Sequence, residues 1–192
     1  MKKLLVISIS MILFFMIVPN AFSQTCVPAG AAGGIGGAGT SFDFISNGTP
    51  STDTCWNEQN VNFVANTTDC GWASNAFEFP VTFSAGLSQS FTIPANDQRT
   101  HFQLAYLMDF EDPNHDAGWD KVYISVWDNT SSQLLLTDAY NGSQTSVSCT
   151  SRSTATFNGS LAGHTISVQF QGSNAYANTH IRFRFIQFWG WN

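Results

Sequence analysis

The sequence predicts an all-β fold, an antiparallel β-sandwich or jelly roll containing disulfides, on three observations. Beyond residue 40 the apolar residues recur at every second position, the period of a strand with one buried face, and no segment carries the helical period of about 3.6 residues. Turn-forming stretches separate these runs: Asn-Gly at 47–48, 141–142 and 158–159, Pro-Ala-Asn-Asp at 94–97 and Gly-Ser-Asn at 172–174. Only 10% of the residues are charged, which suits many short strands with Ser, Thr, Asn and Gln on their outer faces.

The chain opens as an export signal. Met1, Lys2 and Lys3 precede an apolar run from Leu4 to Val18, and Ala21 and Ser23 supply the small-x-small pattern of a cleavage site. The run is shorter than the roughly 20 residues a membrane span needs, and no second one follows. The expectation is a signal peptide over 1–23, no membrane anchor, and a secreted destination, extracellular or periplasmic. Cleavage near Ser23 leaves 169 of the 192 residues, ample for one hydrophobic core. It also leaves five basic against thirteen acidic side chains, a formal charge of −8, which argues against nucleic acid as a partner.

Residues 24–40 read as a flexible Gly/Ala-rich leader, too poor in side-chain surface to offset the entropy of ordering. Gly34-x-Gly36-x-x-Gly39 matches a dinucleotide fingerprint in letters, but it follows no strand and opens no helix, so composition accounts for it. Residues 41–192 are then a single sandwich domain. Phe77, Phe79, Val81 and Phe83 alternate with Glu78, Pro80 and Thr82 as one strand, with Pro80 at an edge or bulge because it cannot donate to a ladder. Phe102, Leu104, Tyr106 and Met108 share one parity, and Val122, Ile124 and Val126 alternate with Tyr123, Ser125 and Trp127. Ile166, Val168 and Phe170 repeat the pattern, and Ile181, Phe183 and Phe185 alternate with Arg182 and Arg184.

All four cysteines, Cys26, Cys55, Cys70 and Cys149, lie in the exported part, where disulfides form. Three pairings are open; the local one, Cys55 with Cys70, leaves Cys26 to tie the N-terminal segment to Cys149. The spacings do not suit zinc.

Between two of the strongest strands runs an acidic loop in which Asp112, Asn114, Asp116, Gly118 and Asp120 alternate with other residues. Oxygen ligands at every second position suit calcium, which takes six to eight hard oxygens. The loop resembles an EF-hand only at its start: the glycine is one place late and no glutamate closes it. Without a cation, crowding Asp109, Glu111, Asp112, Asp116 and Asp120 together costs repulsion.

The order Phe102-x-Leu-x-Tyr-x-Met-Asp-x-Glu111, then Trp119-Asp-Lys-Val-Tyr-Ile-Ser-Val126, then Ile166-Ser-Val-Gln-Phe-Gln-Gly-Ser-Asn174 and a Phe-rich last strand, resembles the extracellular MAM and CUB jelly-roll modules over residues 75–190. The resemblance implies adhesion or recognition of a protein or glycan, without catalysis. In calcium-binding CUB modules an acid ending the first of these strands, the Asp opening the second and an Asp after the third hold the ion, positions taken here by Glu111, Asp120 and Asn174. Asn174 departs from the usual Asp, and the cysteine pattern matches neither family.

Six tryptophans invite a sugar-stacking surface. Trp119 adjoins the acidic loop, Trp127 falls on the outer parity of its strand, and Trp191 stands near the C-terminus, where the alternative is that Trp189 enters the core and Trp191 covers one end. The sequence holds no Gly-x-Ser-x-Gly elbow and no His-Glu-x-x-His. The favoured function is thus a secreted, non-enzymatic recognition or adhesion module, stabilised by calcium and binding a glycan or cell-surface protein. The alternatives are a self-assembling subunit of an extracellular fibre or matrix and a small secreted hydrolase using the acidic loop.

Overall fold

The computed structural model describes residues 26, 41–48, 54–67, 74–111, 119–141, 147–176 and 179–192. The period-two runs form twelve strands: β1 (Phe42–Asp43), β2 (Asn57–Gln59), β3 (Asn62–Thr67), β4 (Ser74–Glu78), β5 (Thr82–Thr92), β6 (His101–Glu111), β7 (Lys121–Asp128), β8 (Gln133–Asn141), β9 (Val147–Ser153), β10 (Phe157–Asn158), β11 (Thr165–Asn174) and β12 (His180–Trp191). One sheet runs β10-β6-β12-β4-β3, with β1 added to β12 and β9 to β6; the other runs β2-β5-β11-β7-β8. Every pairing is antiparallel. From β4 onward the chain passes repeatedly between the sheets, the wrapping of a jelly roll. No helix among the described residues is long and apolar enough to cross a membrane.

The expected inward sets meet between the sheets. Phe102, Leu104, Tyr106, Met108, Phe183 and Phe188 face Leu87, Val122, Ile124, Val126, Ile166, Val168 and Phe170, all buried. Phe170 lies 4.7 Å from Phe183 and edge-on to Tyr106 at 5.6 Å, so aromatic packing joins the layers. The inward-facing Gln89 is satisfied by Ser46 and by the Cys55 carbonyl, tying the segment before β2 to the sandwich.

Four expectations are corrected. The 77–83 run is two strands in different sheets: Phe79 N–H makes a last bond to Ile181, Pro80 has no N–H to continue the ladder, and β5 opens beyond it. Val81 and Phe83 are consequently exposed, Phe83 at 80%. The expected turn Gly172-Ser-Asn174 is the end of β11, because Gly172 and Ser173 pair with Val122 and Lys121. In β12 a bulge between Arg184 and Gln187 slips the alternation. Phe185 there adopts φ 51° and turns partly outward, Ile186 and Phe188 take inward places, and Arg184 is buried. Burial holds the Arg184 guanidinium below its usual pKa against the opposing pull of Asp109, and its Nη1 donates to Ser74 Oγ. Finally, Cys26 is bonded to Cys55, not Cys55 to Cys70. Nearness in sequence misleads because β2, after Cys55, and β3, before Cys70, belong to different sheets. Cys149 is also disulfide-bonded, whereas Cys70 lies outside the described residues.

Candidate functional site

The alternation that buries Val122, Ile124 and Val126 sends Lys121, Tyr123, Ser125 and Trp127 to the outer face of the five-stranded sheet. Register sets these beside Ser173, Gln171, Gln169 and Ser167 of β11. Gln171 and Gln169 lie in turn beside Gly86 and Ser88 of β5, which adjoin Gln59 and Asn57 of β2. Two rungs thus cross the sheet, Tyr123-Gln171-Gly86-Gln59 and Ser125-Gln169-Ser88-Asn57.

A groove of about 580 Å³ lies over this face, lined by Gln59, Phe83, Gly86, Ser88, Lys121, Tyr123, Gln169 and Gln171 among others. Tyr123 is 53% exposed on one side. Phe83, on the other, sits where the β5–β11 register shifts, and this irregularity presents its ring to the groove instead of the core. Amides and hydroxyls that both donate and accept line the floor, with aromatic faces at the sides. Among the described residues that line the groove, Glu58 and Lys121 are the only charged ones. A second carboxylate, which acid–base hydrolysis of a glycosidic bond requires, is missing among the described lining residues.

The residues singled out from the sequence fall in three places. Trp119 is 60% exposed, and its carbonyl accepts from Ser173, so it stands at the end of the groove where β7 begins and β11 ends. Trp127 is half-buried further along the same face, its Nε1 donating to Ser125. Trp191 belongs to the other sheet, stacked on His101 at 5.8 Å, and the half-buried Trp189 donates to Gln187 instead of entering the core. The three candidate tryptophans therefore do not share one surface. Phe83 and the glutamines escaped sequence reading, whereas the parity of Tyr123 had placed it outward.

At the same end of the sandwich, Asp120 is fully buried and accepts hydrogen bonds from Ala175 N–H and Thr179 Oγ1. Asn174, 2% exposed, donates to the carbonyls of Phe79 and Thr179, and its Oδ1 has no hydrogen-bond partner among the described residues. Glu111 closes β6 opposite His180. Asp112, Asn114 and Asp116 lie outside the described residues. Among the described residues no group of three His, Cys, Asp or Glu side chains is placed to hold a metal ion.

Two other polar clusters are structural. The hydroxyls of Tyr106 and Tyr140 both donate to Asp138, closing the edge between the sheets; burial raises the pKa of each phenol. Asp128 is pushed up by burial but held below its usual range by hydrogen bonds from Ser131, His164 and Thr130, which fasten the β7–β8 turn.

No family model matches the chain, and no curated protein matches it in sequence. Solved structures do match in fold. A family 61 carbohydrate-binding module, TmCBM61, in complex with β-1,4-galactotriose, superposes with a TM-score of 0.56 at 13% identity over 76% of this chain and 97% of that one. The chain has the same jelly-roll β-sandwich fold. A cyclase from Fischerella sp. TAU shares it with a TM-score of 0.52 at 12% identity, over 79% of this chain and 98% of that one. So does a part of an arabinose-bound α-L-arabinofuranosidase, MgGH51, with a TM-score of 0.51 at 11% identity, over 84% of this chain and 28% of that one. A binding module and enzymes thus share the fold, which singles out neither activity and does not specify MAM or CUB modules.

Proposed function

We propose that this protein is a secreted glycan-binding module that uses the groove on its five-stranded sheet. The observation carrying the reading is the exposed pair Tyr123 and Phe83 beside a floor of Gln, Asn and Ser side chains. Aromatic faces stack on the C–H faces of sugar rings, while amides and hydroxyls meet their hydroxyl groups. The fold shared with a galactotriose-bound module supports it, and the presence of one carboxylate among the described residues lining the groove favours binding over hydrolysis. Export after cleavage near Ser23 completes the reading; disulfides are the mark of an oxidising compartment. Adhesion to a glycosylated surface is the use to which such a module is suited.

Affinity electrophoresis of the mature protein in soluble polysaccharides tests this. Retardation by a glycan, lost by about tenfold or more in Tyr123→Ala with thermal stability unchanged, is the expected result. No retardation by any glycan, together with concentration-dependent assembly, would favour the structural-subunit alternative.

Calcium belongs to the same proposal. The buried Oδ1 of Asn174, which has no hydrogen-bond partner among the described residues, and the buried carboxylate of Asp120 are hard oxygen donors joined through Thr179. They are residues that would hold the ion, with Glu111, Asp112, Asn114 and Asp116 as the further ligands the sequence offers. A cation bound there would brace Asp120 and Asn174 at the end of the groove beside Trp119. The melting temperature of the oxidised protein is expected to rise with calcium and fall with chelator, since an ion bound only by the native state stabilises it in proportion to log concentration. An unchanged melting temperature removes calcium from the reading and leaves the groove.

A further inference from the structure

The groove is open where it is because one strand residue has no side chain. Gly86 lies in the interior of β5, paired with Gln171 on one side and Gln59 on the other, with Tyr123 beyond Gln171 in the same rung. Among the described residues nothing requires a glycine there. Its backbone is not among the left-handed positions, and a methyl group added to it would come no nearer than 3.9 Å to any atom of the described residues outside its chain neighbours. Glycine weakens a strand interior relative to a residue with a side chain, so its presence here costs stability for no gain in packing. The next glycine on the sheet has the opposite character: a Cβ at Gly172 would lie 2.2 Å from the Lys121 carbonyl oxygen.

We propose that Gly86 is the floor of a sugar subsite, the vacancy over it holding one uncharged pyranose ring between the amides of Gln59 and Gln171 and within reach of Tyr123. This rests on the glycan-binding reading and adds a position and a ligand class to it. The class follows from the lining: among the described residues that line the groove, Lys121 and Glu58 are the only charged ones and are of opposite sign, while the chain is net acidic, so these residues supply no cationic excess to hold a polyanionic glycan. Any side chain at 86 would occupy the space of the ring without disturbing the sheet beneath.

The test compares the mature wild-type chain with Gly86→Val, Gly86→Ser and Thr137→Val by affinity electrophoresis. The probes are a soluble β-1,4-galactan, a xylan, a mixed-linkage glucan and the polyanion polygalacturonate. Thr137 is exposed on the same face but outside the groove lining. Wild type is expected to bind at least one neutral polymer, Gly86→Val to lose about tenfold or more, Gly86→Ser less, and Thr137→Val nothing. Gly86→Val should at the same time melt about 2–4 °C higher, because a β-branched residue replaces a strand glycine. Neutral-glycan binding that survives in Gly86→Val within about twofold overturns the subsite while leaving the glycan reading intact. Failure of Gly86→Val to fold, with Gly86→Ser folding and binding as wild type, overturns it too. Wild-type binding to polygalacturonate alone overturns the uncharged class, and binding to none of the four removes the glycan reading and the subsite with it.

Discussion

Asp43 shows how burial decides chemistry that sequence cannot rank. Asp43 is 7% exposed, and its Oδ1 accepts hydrogen bonds from Ile45 N–H and Phe188 N–H, joining the N-terminal strand to β12. Burial pushes its carboxyl up to about 6 from 3.8, against the lowering effect of those hydrogen bonds. The folded state therefore holds this proton more tightly than the unfolded chain. Its contribution to stability is complete below about pH 4 and is lost as pH rises through about 6, reaching roughly 3 kcal/mol by pH 7. Asp43→Asn keeps the acceptor oxygen and removes the proton. Urea unfolding from pH 4 to 7 should show the variant matching wild type at the acid end and exceeding it increasingly toward neutrality. Tyr123 and Phe83 make the complementary point about what was legible. The parity of Val122, Ile124 and Val126 already placed Tyr123 outward, whereas Phe83 shares the parity of Phe77 and Phe79 and is displaced only because Pro80 ends one strand and a register shift re-aims the next.

At the scale of elements, β11 is the strand on which the site depends, since it pairs with both β5 and β7 and carries Gln169 and Gln171. Gly172 lets β7 lie against it, because any Cβ at that position would strike the Lys121 carbonyl oxygen. Gly172→Ala is therefore expected to cost about 2 kcal/mol or more by overpacking, read as a lower urea midpoint with unchanged slope. The bulge in β12 works in the other direction. It lets Ile186 and Phe188 enter the core, leaving Phe185 partly outside and Arg184 buried. Period-two patterning reads each strand correctly up to such an irregularity and inverts beyond it, since one residue of slip exchanges the faces.

The whole molecule is held by a continuous inter-sheet core and by covalent ties at its margins. The Cys26–Cys55 bond spans 29 residues and anchors the N-terminal segment beside β2. Replacing both cysteines by serine should cost about 3 kcal/mol in urea unfolding. Glycan affinity at a temperature where the variant is folded should persist, because the groove is built on the ladder from β2 to β7. Loss of affinity in a folded variant would mean that the N-terminal segment contributes to the groove.

Local periodicity and composition suffice for the all-β class, the inward sets of β6, β7 and β11, the cysteine content and the acidic loop, which are all readable along the chain. Which cysteines meet, which aromatics share a surface, and that Gly86, Gln59, Gln171 and Tyr123 form one rung become visible in the folded chain alone. Those juxtapositions depend on strand order and register, and pairing partners far apart in sequence leave no mark on the local pattern of either strand.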